Sequence, residues 1–123
     1  KKGQKIGVMV GSLASMVLGK GGKSTSPYAF QSDMLEDLQK DELYGAALSS
    51  ATMSYYILQH PNSGLKLVNA FDSESMLTWE VAIGLRKSDK ALVDAINEVL
   101  DRLLADGTLT RIYAKYGVEH RIP

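Results

Sequence analysis

The chain has 123 residues, 45% of them hydrophobic and 23% charged, and its 14 Lys plus Arg balance 14 Asp plus Glu. That is the profile of one globular chain able to bury a core, and the even mixing of charge excludes both the basic stripe of a nucleic-acid binder and a charged tail. Cysteine is absent and the two histidines, His60 and His120, are far apart, which excludes disulfides and thiol nucleophiles and argues against a His-based metal site; no metal or cofactor is expected.

The apolar runs are too short to span a bilayer, and Lys1-Lys2-Gly3-Gln4 is followed by too few apolar residues for a signal peptide. If the natural protein is exported, its signal is expected outside this chain. Residues 5–10 then read as a strand ending at Gly11, and Ser12 opens a helix that reaches about Leu18. The first N–H groups of a helix have no internal partner and carry the positive end of its dipole, so such a turn receives anions; it also serves in many domains as a plain connection. Gly11 permits close backbone approach, and Leu13 and Ser15 lie in the first turn beside Ser12.

Gly19-Lys20-Gly21-Gly22-Lys23-Ser24 ends like a Walker A motif. It follows a helix and precedes Ser26-Pro27, whereas a phosphate loop joins a strand to a helix, so it reads as a helix end and a solvated loop. Tyr28-Ala29-Phe30 reads as a short strand, and Ser32 as the cap of a helix with Met34, Leu35 and Leu38 on one side and Asp33, Glu36 and Asp37 on a solvated face. Residues 43–48 read as a strand buried on both faces. Ser49-Ser50-Ala51-Thr52 opens the next helix, which His60-Pro61 stops. Two such strand–Ser–helix turns in a parallel sheet would stand at one carboxyl edge, where open α/β sheets bind ligands.

Asn62-Ser63-Gly64 reads as a turn and residues 65–68 as a strand. The polar stretch 71–76 is irregular, and residues 77–85 alternate like a strand with Leu77, Trp79, Val81, Ile83 and Leu85 on one face. Trp79 is a core residue or a ligand-stacking wall, and Glu80 an exposed strand residue or a cleft carboxylate. Ser88 is expected to start the longest helix, with Asp89 in its first turn and a broad apolar stripe through Leu92, Ile96, Val99 and Leu103. Thr108 opens a final helix before Gly117. These two helices carry more apolar surface than the rest of the chain covers, so the chain is expected to be incomplete or to pair with a second copy.

Several stretches, in order, resemble the extracytoplasmic solute-binding proteins of family 3, the receptors of polar amino-acid ABC importers. They are residues 2–8, Gly11-Ser12, Ser54-Tyr55-Tyr56, residues 81–89 and, most specifically, Ala105-Asp106-Gly107-Thr108, Ile112-Tyr113 and Lys115-Tyr116-Gly117. The resemblance implies an α/β fold, one lobe of a type II periplasmic binding protein, with a small, mostly parallel sheet flanked by helices. It makes residues 1–80 the second lobe and residues 81–123 a return crossover strand plus helices that pack on a missing first lobe. It implies a periplasmic binding protein without enzymatic activity, which hands a small polar solute to the membrane subunits of an ABC transporter. Gly11, Ser12, Leu13, Ser15, Gln31, Ser49, Ser50, Trp79 and Glu80 fall in the implied cleft. At Ser49 the family's amine-binding aspartate is replaced, so an anionic solute without an amine is expected. A sensory or accessory domain and a dehydratase-like enzyme are alternative uses of the same fold.

Overall fold

In the computed structural model, which describes residues 4–69, 75–87 and 89–122, the chain separates into two compact units, Lys1–Thr78 and Trp79–Pro123. The first is organised by three strands, β1 (Ile6–Met9), β2 (Thr25–Tyr28) and β3 (Gly45–Ala47), each followed by a helix: α1 (Leu13–Lys20), α2 (Gln31–Gln39) and α3 (Ser50–Gln59). A helix between successive strands returns the chain to its starting edge, so all pairing is parallel. The order is β2-β1-β3, with Ile6 opposite both Thr25 and Gly45. The expected parallel α/β architecture is therefore present.

β1 is central, and Val8 in its middle is fully buried. Among the described residues, Met34 and Leu35 of α2, Leu43 just ahead of β3, and Met53 of α3 complete the buried apolar core. Gly7 has no side chain where Met34 and Leu43 press on the strand, which lets α2 lie directly against β1.

Four details differ from the sequence reading. The second strand covers Thr25–Tyr28 rather than residues 28–30. Its polar residues pair with β1 and its proline is tolerated because β2 is an edge strand. Phe30, not Ser32, is the N-cap of α2, with no side-chain cap bond; the Ser32 hydroxyl instead donates to Asp33 Oδ1 at 3.2 Å. The third strand is only three residues long and half-buried, and the neighbouring Tyr44 is 78% exposed. Finally, neither residues 65–68 nor residues 78–85 form a strand. Alternation specifies two faces, but a strand exists only through pairing, and in residues 78–85 both faces are exposed, with Trp79 63% and Val81 82% accessible. Leu77 belongs instead to a short 3₁₀ turn, Ser75–Leu77. Of the polar stretch 71–76, residues 71–74 lie outside the described residues.

The second unit holds α4 (Lys90–Ala105) and α5 (Thr108–Lys115). Asp89 is the N-cap of α4 rather than a first-turn residue, its carboxylate accepting from the Leu92 N–H at 2.8 Å; Ser88 lies outside the described residues. Between the helices, Gly107 takes the left-handed conformation at φ 72°, a region that favours glycine. Asp106 Oδ1 accepts from the Thr108 N–H at 2.8 Å, and Arg111 donates to the Asp106 carbonyl and the Thr108 hydroxyl at 3.0 and 2.7 Å. Among the described residues, no fully buried apolar side chain belongs to this unit.

Candidate functional site

Because the strands are parallel, the N-termini of α1, α2 and α3 all follow the same carboxyl edge of the sheet. The chain leaves β1 through Val10, whose N–H still bonds the Tyr28 carbonyl at 2.9 Å, and turns at Gly11. Gly11 has φ +71°, and a Cβ built there meets nothing within 4 Å. Glycine is thus required by the backbone, while the space beside it stays open.

Ser12 then caps α1: its hydroxyl oxygen accepts from the Ser15 N–H at 3.1 Å, and its carbonyl accepts from the Met16 N–H at 3.2 Å. Leu13 and Ala14 are the first two residues of the helix, so their N–H groups have no carbonyl one turn back to bond within it. The arrangement recurs at α3. Ser49 Oγ accepts from the Thr52 N–H at 3.2 Å and lies 2.9 Å from Thr52 Oγ1, while the Ser49 carbonyl accepts from the Met53 N–H at 3.1 Å. Ser50 and Ala51 occupy the positions equivalent to Leu13 and Ala14.

Electrostatics separate these two helices from the third. Neither α1 nor α3 has an acidic residue in its first turn, so the positive ends of both dipoles are uncompensated by their own side chains. In α2, where Gln31 is the first residue, Asp33 already supplies a negative charge to that end. The N-terminal ends of α1 and α3 are therefore more electropositive than that of α2.

Of the residues expected at a cleft, Gly11, Ser12, Leu13, Ser15, Gln31, Ser49 and Ser50 stand at this edge of the first unit, in the turns after the strands or the first turns of the helices that follow. Trp79 and Glu80 fall in the second unit, in an exposed segment without regular secondary structure. Three residues escape the sequence reading as members of this edge. Thr52 is legible in the Ser-x-x-Thr spacing, which matches Ser12-x-x-Ser15. Val10 and Phe30 are apolar yet exposed beside the turns, and Phe30 is conspicuous as an apolar residue at an N-cap, where a hydroxyl or carboxylate is preferred.

Below the edge, the Tyr28 hydroxyl donates to Asp37 Oδ2 at 2.7 Å, tying the end of β2 to α2. Asp37 is therefore not simply part of a solvated face. The carboxylate, together with partial desolvation, pushes the Tyr28 phenol above its ordinary range, because losing its proton would set two anions against each other. Glu36 does remain solvated, paired with Lys40 at 2.6 Å. Among the described residues, no cluster of three His, Asp or Glu could hold a metal ion, and no helix is long and apolar enough to cross a membrane.

A protein of Neisseria gonorrhoeae described as a probable histidine-binding protein is 28% identical over 120 residues, which make up 94% of this chain and 44% of that protein. The chain thus spans less than half the length of this relative. No solved structure gives a significant match. The family of bacterial extracellular solute-binding proteins, family 3, matches residues 2–119. A match of that extent, on a parallel α/β lobe, makes this chain a member of the bacterial extracellular solute-binding proteins of family 3.

Proposed function

We propose that this chain is the second lobe of an extracytoplasmic receptor that binds a small solute through an anionic group and delivers it to an ABC importer. The observation that carries the reading is the pair of serine-capped helices, α1 and α3, at one sheet edge with no acidic residue in either first turn. Each offers two N–H groups that have no partner within the helix, beside a serine hydroxyl, a set of groups suited to a carboxylate. The role is binding rather than catalysis, in keeping with the family's description as solute-binding proteins. Residues 81–123 then pack on a first lobe supplied from outside this chain, in keeping with a second unit whose described residues include no buried apolar side chain.

At α3 the cap is a neutral serine. A hydroxyl does not offset an ammonium taken out of water, which favours an organic acid without an amine. The relative's description as a probable histidine-binding protein favours a second reading, in which the solute is an amino acid held through its carboxylate. Calorimetric titration of the full-length protein with histidine and with a small dicarboxylic acid separates the two. Binding of the dicarboxylate alone is expected; binding of histidine alone would establish the second reading, and binding of neither would overturn the anion site.

A further inference from the structure

We draw no further inference here: the strongest candidate, the apolar stripe of α4 and α5 exposed through Leu92, Val99 and Ile112, carries nothing because nothing in the structure shows what covers it.

Discussion

A Cβ added to Gly7 would stand 2.7 Å from Cγ of Met34, a side chain that is itself wholly buried. Leu43 Cδ1 at 2.8 Å closes the other side. Gly7→Ala therefore overfills a place where α2 presses on the central strand, and a loss of about 1–3 kcal/mol is expected. Chemical denaturation would measure it. An unchanged midpoint would mean that α2 shifts freely over the sheet.

Ser12→Asp separates the helix from the ligand. Aspartate caps about as well as serine and its charge suits the dipole, so stability without ligand should change by less than about 0.5 kcal/mol. The same charge repels an anion, and affinity for the solute should fall roughly tenfold or more. Ser12→Ala does the reverse in part: it removes the cap, costing about 1 kcal/mol of stability. Thermal melts paired with titration calorimetry read both numbers; retained affinity in Ser12→Asp would remove this turn from the site.

Ser49→Asp restores a carboxylate at the α3 cap while keeping an acceptor for the Thr52 N–H. If the neutral hydroxyl is what excludes amines, the full-length variant should bind at least one amino acid roughly tenfold more tightly than the parent. A panel of amino acids in a thermal-shift assay would show the gain, and its absence would detach Ser49 from solute selection.

The Tyr28–Asp37 bond sets an alkaline limit. Tyr28 is held above its ordinary value of about 10, so the fold favours the neutral phenol. That contribution is complete below the ordinary tyrosine range and is lost as pH rises through the higher folded value. Asp37→Asn keeps an acceptor but removes the charge, and the Tyr28 titration should move back toward the ordinary value. A ring-carbon NMR titration of Tyr28 in both proteins tests this; coincident curves would show that Asp37 exerts no hold.

Asp106 makes the opposite case. The hydroxyl and the N–H of Thr108 favour its carboxylate and hold its pKa below the usual range. Its support for the start of α5 is present above the ordinary carboxylate value and disappears as pH falls through the depressed one. The Thr108 amide shift should follow that low titration and lose it in Asp106→Asn. A midpoint in the ordinary range would mean that the bond is not kept in solution.

The first and third strand–helix repeats are legible because local signals agree: a short apolar strand, a Gly or Ser turn, then helical spacing, as in Val8, Gly11-Ser12 and Leu13. The α3 cap at Ser49 and the stop at His60-Pro61 were equally clear. What failed was pairing. Leu65-Lys66-Leu67-Val68 and residues 78–85 have the alternation of strands, yet alternation records which side chains avoid water, not whether a neighbouring strand is there to bond. Pro27 hid the second strand for a related reason, since its tolerance depends on β2 being at the sheet edge. At the site, the hydroxyls were visible as residue types, but the contact between Ser49 and Thr52 required the helix to bring i and i+3 together. In the sequence Gly11 reads only as permitting close backbone approach; its left-handed conformation is a property of the fold.

The uneven distribution of the core bears on how the protein opens in solution. Val8, Met34, Leu35, Leu43 and Met53 all belong to Lys1–Thr78, so amide protons of β1 should exchange with solvent only when that unit unfolds. Those of α4 are guarded by hydrogen bonds along a helix with no buried residue, and should exchange much faster in this chain by itself. Deuterium uptake along α4 is therefore a direct gauge of whatever surface comes to cover it: protection there should rise with occupancy while β1 stays unchanged.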